Sequence, residues 1–183
     1  MDREQYQNLR QFVLPENFRG KNPILVQLWW IVQATVFGCS PQFMYRWRVF
    51  LLRCFGAKIG ERVLVRPSAR ITYPWKVCIG NDSWIGDDVT LYSLAEITIG
   101  SDVVISQRSY ICAATHDYSR PTFDMIGSPI VIEDQAWLAT DVFVAPGVKV
   151  CRGAVVGARS SLYKDVASGS ISVGNPARVT GAR

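Results

Sequence analysis

The sequence predicts an all-β core, a parallel β-helix of about five triangular coils, with a helical segment ahead of it and one projecting loop. Three observations carry this expectation. First, an aliphatic residue recurs on a six-residue beat: Ile59, Val65, Ile71, then Ile79, Ile85, Leu91, then Ile99, Ile105, Ile111. After a gap the beat resumes at Ile132, Leu138, Val144, Val150, Val156 and Leu162. All fifteen are Ile, Leu or Val, in a chain where those types make up 46 of 183 residues, so chance does not produce the run. Second, the residue four later is small: Val63, Ala69, Ser83, Val89, Ala95, Val103, Ser109, Thr115, Ala136, Val142, Val148, Ala154, Ser160 and Val166, with Trp75 as the exception. Third, Asn81-Asp82, Asp87-Asp88, Ser101-Asp102, Gly80, Gly86, Gly100 and Gly157 fall where tight corners are needed.

A period of six fits neither the 3.6 of a helix nor the alternation of a long strand. It suits short flat strands, three to a coil, with each aliphatic residue pointing into the prism and each small residue filling a tapering corner. Two extra residues recur at one corner, so Ile59, Ile79 and Ile99 are spaced by twenty rather than eighteen.

Two stretches break the beat. Residues 117–129 have no hexads and predict a loop projecting from the prism, the kind of segment that tends to carry function. Residues 1–57 precede the β-helix of 58–183, which ends in a tail over 167–183. Within the first segment, 23–37 and 41–55 read as two helices, each with Pro near its start. Phe43, Trp47, Phe50, Leu51 and Cys54 are expected to line one face of the second.

Composition narrows the class. With 49% hydrophobic and 11% aromatic residues the chain is not disordered. The apolar stretch 24–37 contains Gln27 and Gln33 and is too short to cross a bilayer. The polar start, Met1 to Gln11, does not resemble a signal peptide, so a cytoplasmic protein is expected. Five scattered cysteines without a CxxC read as reduced thiols. The net charge of +5 is uneven: residues 1–70 carry +7, residues 71–149 carry −6 and residues 150–183 carry +4. No nucleic-acid module is visible.

Further motifs are specific: Ala114-Thr115-His116-Asp117-Tyr118-Ser119, Pro129-Ile130-Val131-Ile132 through Trp137, Val144-Ala145-Pro146-Gly147-Val148, Val155-Val156-Gly157-Ala158-Arg159-Ser160 and Gly174-Asn175-Pro176-Ala177-Arg178. In this order they resemble the hexapeptide-repeat acyltransferases, built on a left-handed parallel β-helix, and most of all the colanic-acid and nodulation-type sugar O-acetyltransferases. The resemblance runs from Ile79 to the end. It implies a homotrimer with active sites between neighbouring prisms, acetyl-CoA as co-substrate and a saccharide acceptor. Leu138-Ala139 stands where the family more often has Ile-Gly, Cys151 replaces a frequent Gly, and Arg159 holds a corner position often held by Gly.

His116 is the single histidine, and it sits just before the projecting loop. Matched to the family's catalytic histidine, it is the general base that a weakly nucleophilic sugar hydroxyl requires. Asp117 or Asp124 could orient it, or Asp117 could simply shape the loop. Family matching also puts Thr140 and Ala158 along the pantetheine arm, and Tyr163, Lys164 and Arg178 near the nucleotide, with the cations facing phosphates. The acceptor side would draw on Tyr92, Ser93 and the loop residues Asp117, Tyr118 and Phe123.

One histidine per chain cannot supply the histidine cluster of a β-helix metalloenzyme of the carbonic-anhydrase type, so no metal is expected. Acyl transfer to the amine of an amino sugar or antibiotic, and a non-catalytic β-helix scaffold, are the competing readings. The helical segment either caps the open end of the prism or, through Trp29, Trp30, Phe43, Trp47 and Phe50 beside Arg46, Arg48 and Arg53, contacts a membrane surface.

Overall fold

All fifteen aliphatic hexad positions are buried in the computed structural model, which describes residues 5–183. The first four residues of the N-terminal segment, where the polar start begins, lie outside the described residues. Strands of two or three residues, and one of five, stack in parallel into three faces. The first face holds Lys58–Ile59, Val77–Ile79, Ile97–Ile99, Ile130–Ile132 and Lys149–Val150. The third holds Arg70–Ile71, Thr90–Tyr92, Tyr110–Cys112, Phe143–Val144 and Ser161–Leu162. The second holds Leu64–Val65, Trp84–Ile85, Val104–Ile105, Trp137–Leu138 and Val155–Val156, and then Ser170–Gly174 as a sixth rung. Register is strict, with Ile79 opposite Ile99 and Ile99 opposite Ile132, so like stacks on like through the core.

Residues 167–183 extend the stack, so the β-helix has about six turns. Ser170–Gly174 joins the second face, and Ala177–Ala182 folds back antiparallel upon it. That return covers a strand edge the last coil would otherwise present to solvent.

The corners confirm the turn reading. Asp82, Asp88 and Asp102 have φ of 58°, 56° and 57°, and Arg108, Asp141 and Arg159 lie at 59–60°. Asp tolerates this left-handed region better than most residues. At Gly100 a Cβ would sit 2.6 Å from the Asp134 backbone nitrogen of the next coil, so only Gly fits.

The third corner departs from the pattern. Trp75, Ala95 and Thr115, four residues past the core aliphatics, are half-buried, half-buried and exposed. The inward positions there are Tyr73, Ser93 and Ala113, two residues past the aliphatics. The two extra residues lengthen this corner, so the chain turns later and the inward site shifts. In the third coil the corner opens completely, and the chain leaves the prism.

The N-terminal segment packs against the first coil. Helix α1, Pro23–Val32, is capped by the Asn22 side chain accepting from the Leu25 N–H at 2.8 Å, and a π turn, Gln33–Phe37, continues it. Trp29 is buried and donates to the Ile71 carbonyl at 2.8 Å. Helix α2, Tyr45–Cys54, begins four residues later than the sequence suggests. The Pro41 and Gln42 carbonyls, which an earlier start would need, accept from the Arg48 guanidinium at 2.9 and 2.6 Å. Arg48 is fully buried and also donates to the Val65 carbonyl and the Ser40 hydroxyl. The buried face of α2 is Arg48, Val49, Leu51 and Leu52, not the aromatic stripe. Phe43, Phe50 and Cys54 are exposed, because Arg48 finds more acceptors against the first coil than an aromatic ring could use. Among the described residues, no helix is long and apolar enough to cross a membrane.

Candidate active site

His116 stands at the end of a β-hairpin rather than at the edge of an irregular loop. Ala114–His116 pairs antiparallel with Met125–Gly127, placing His116 opposite Met125, so the projection starts three residues before the expected 117. Asn8 of the N-terminal segment donates to the Pro121 carbonyl at 2.7 Å and ties that segment to the hairpin tip. The Phe12 ring then lies 6.1 Å from the imidazole, a neighbour that no motif announces.

The imidazole is fixed from two sides. Its Nδ1 lies 2.9 Å from the Phe123 carbonyl oxygen, and the Phe123 ring stacks on it at 4.2 Å with 7° between planes. A carbonyl oxygen only accepts, so in the neutral ring Nδ1 carries the proton and Nε2 keeps the free lone pair. Phe123 reaches this position with φ of 52°, a left-handed conformation unusual for an aromatic residue. Such backbone strain is commonest where a site needs a particular direction.

The carboxylates have other tasks. Asp117 accepts from the Ser119 N–H at 3.0 Å and from its hydroxyl at 2.5 Å, and these bonds hold its carboxyl below the usual carboxylate range. Asp124 pairs with Arg120 at 2.7 Å. The loop-shaping role of Asp117 is thus the one its contacts describe. Ser93 is fully buried, and its hydroxyl bridges the Tyr73 backbone N–H and carbonyl at 2.8 and 3.0 Å, so it staples two coils and faces no solvent groove. Tyr118 is exposed at the hairpin tip.

Tyr92 begins a column of outward rings on the third face: Tyr92, Tyr110, Phe143 and Tyr163, with successive centroids 5.9, 6.3 and 5.8 Å apart. It packs beside Ala114 and Met125 at the hairpin base. Burial raises the Tyr92 phenol and the neighbouring Cys112 thiol above their usual values, so both stay protonated at neutral pH. At the far end Tyr163 lines a recess of about 450 Å³ with Lys164, Asp165, Pro176, Arg178 and Val179. Among the described residues no ion pair holds Lys164 or Arg178, which leaves two cations facing an open recess. The three expected nucleotide-end residues thereby line one recess.

Thr140 and Ala158 stack on the corner between the second and third faces, joined through the Arg159 N–H to the Thr140 carbonyl at 2.9 Å. The Thr140 hydroxyl donates to the Gln107 carbonyl. Arg159 is exposed and 3.7 Å from Asp141, which also pairs with Arg108. A second recess, about 380 Å³ on the second face, is lined by Tyr45, Arg66, Trp84 and Asp87, but Arg66 is bonded to both Tyr45 and Asp87. Among the described residues no group of three or more His, Cys, Asp or Glu side chains could hold a metal ion.

No family model matches the chain. Individual proteins match it well. It is 58% identical over 173 residues to WcaF of Escherichia coli K12, a protein assigned as a colanic acid biosynthesis acetyltransferase, covering 94% of this chain and 95% of that one. Nodulation protein L of Rhizobium leguminosarum bv. viciae is 33% identical, covering 73% of this chain and 72% of its own. A hexapeptide-repeat acetyltransferase of Vibrio cholerae, solved with acetyl coenzyme A, superposes with a TM-score of 0.78 at 25% identity, covering 87% of each chain. The chain belongs to the hexapeptide-repeat acetyltransferases.

Membership makes the left-handed parallel β-helix and the acyltransferase class properties of this chain, as the hexads and the ordered motifs predicted. The site of this hexapeptide-repeat acetyltransferase holds parts that its motifs did not mark. The Phe123 carbonyl, the Phe12 ring and the column through Tyr110 and Phe143 are all products of folding. The nearest signal in the sequence is the alternation of aromatic residues with core aliphatics at 91–92, 110–111 and 143–144.

Proposed function

We propose that this protein transfers the acetyl group of acetyl-CoA directly to a hydroxyl of a saccharide, with His116 as general base. The observation that carries the reading is the Nδ1 bond to the Phe123 carbonyl, which leaves Nε2 as the proton acceptor. The sugar oxygen adds to the thioester carbonyl as Nε2 takes the hydroxyl proton. Collapse of the tetrahedral intermediate breaks the C–S bond, and the departing thiolate recovers that proton from the imidazolium. The products are an acetyl ester and free CoA, and no acyl-enzyme forms.

The cations of Lys164 and Arg178 suit the phosphates of the nucleotide, and Thr140 and Ala158 suit the amides of the pantetheine arm. Tyr163, with its exposed ring beside both cations, suits the nucleotide base. Tyr92, Tyr118 and Phe123 border the acceptor side, where aromatic rings favour a sugar face. A homotrimer with the site between neighbouring prisms completes the reading. The relatives assigned to colanic acid biosynthesis and nodulation support a saccharide acceptor.

The test is acetyl transfer from acetyl-CoA across sugars, oligosaccharides and lipid-linked glycans, followed by thiol release and product mass. An ester product is cleaved by alkaline hydroxylamine, whereas an amide survives. Survival of the product would establish transfer to nitrogen instead. Thiol release at background with every hydroxyl and amine acceptor would leave only the scaffold reading.

A further inference from the structure

The inner faces of α1 and α2 pack against the first coil, and their outer faces are unpartnered. On α1, Ile24, Leu28 and Ile31 share one side at helical spacing and are 80%, 47% and 61% exposed. Trp30 and Val36 are also exposed. The apolar surface continues across to α2: the Trp47 indole donates to the Val36 carbonyl at 3.0 Å and stacks on the exposed Phe50 ring, and Phe43 is 79% exposed just before the helix. So many exposed large apolar side chains on one short segment are rare unless they meet something apolar.

Charge says what it meets. Between Glu16 and Glu61 the chain has no Asp or Glu and six Lys or Arg residues. Lys21 precedes Ile24 and Arg46 adjoins Trp47, and both are exposed. Cations thus flank the apolar stripe at both ends with no carboxylate among them. A second copy of the same face would set these cations against each other without a counter-charge.

We propose that the outward faces of α1 and α2 seat this protein on an anionic lipid bilayer. Ile24, Leu28, Ile31 and Phe43 enter the acyl boundary, while Lys21 and Arg46 meet the headgroup phosphates. The face packed on the coil and the membrane contact are opposite faces of the same helices. This seat does not depend on which acceptor the enzyme uses.

The experiment is flotation of the full chain with vesicles of phosphatidylcholine alone and of phosphatidylcholine mixed with phosphatidylglycerol, at low and high salt. Wild type is expected to float with the phosphatidylglycerol vesicles and to be released by salt. The triple variant Ile24→Glu, Leu28→Glu, Ile31→Glu alters only exposed side chains, so its circular dichroism melt is expected to match wild type. Its binding is expected to fall by at least about tenfold. Absent flotation, equal flotation of the variant, or equal binding to phosphatidylcholine alone each overturns the proposal. A fall in solution mass of the variant by light scattering would also overturn it, by assigning the face to contacts between copies.

Discussion

The Phe123 carbonyl lies 2.9 Å from His116 Nδ1, and the ring of the same residue stacks on the imidazole at 4.2 Å. One residue thus sets both the proton position and the plane of the proposed base. His116→Ala is expected to lower acetyl transfer by about a hundred- to ten-thousandfold, the usual worth of a general base, while acetyl-CoA binding by calorimetry persists. Phe123→Leu keeps the carbonyl and loses the stack. It should lower kcat by about tenfold with the KM for acetyl-CoA little changed, through misplacement of the ring.

Asp117→Asn separates two roles that sequence leaves open. Asn can still accept from the Ser119 N–H and hydroxyl, so the turn survives. Activity within about threefold of wild type is expected, since no contact runs from this carboxylate to the imidazole. A hundredfold loss would instead assign Asp117 to the base.

Lys164→Ala and Arg178→Ala should each raise KM for acetyl-CoA by about tenfold with kcat nearly unchanged, as expected for binding that is uniform along the reaction. Repeating the rates with acetyl-pantetheine, which lacks the nucleotide, should abolish the difference between variants and wild type. A persistent difference would move the phosphates elsewhere.

Arg48→Met tests the anchor between the helical segment and the first coil. It removes the donor from the buried Val65 carbonyl and Ser40 hydroxyl and from the partly buried Pro41 and Gln42 carbonyls. Destabilisation of about 3–5 kcal/mol in urea unfolding is expected, because unpaired buried acceptors are costly. Arg48→Lys should recover part of it, since an ammonium reaches fewer of these acceptors.

Thiol labelling should distinguish the cysteines. Cys39 and Cys54 are exposed, whereas burial pushes the Cys112 thiol up and leaves little thiolate at neutral pH. Mass spectrometry after brief treatment with a disulfide reagent should find Cys39 and Cys54 modified and Cys112 intact. Early modification of Cys112 would show that the hairpin base opens in solution.

The sequence by itself determined the prism. In a hexad each residue's direction follows from its place in the beat, so Ile79, Ile85 and Leu91 declare an inner surface without reference to anything distant. The same local logic marked the corners at Asp82, Asp88 and Asp102, and marked His116 as the residue at the break. The tertiary structure decided the rest. At the third corner two extra residues moved the inward site from Ala95 to Ser93, which a count of six cannot foresee. Arg48 rather than Phe50 lies on the buried face of α2, because the carbonyls of 41, 42 and 65 converge only after folding. No side-chain pattern records where a backbone carbonyl points, so the partner of His116 emerged as Phe123 rather than Asp117.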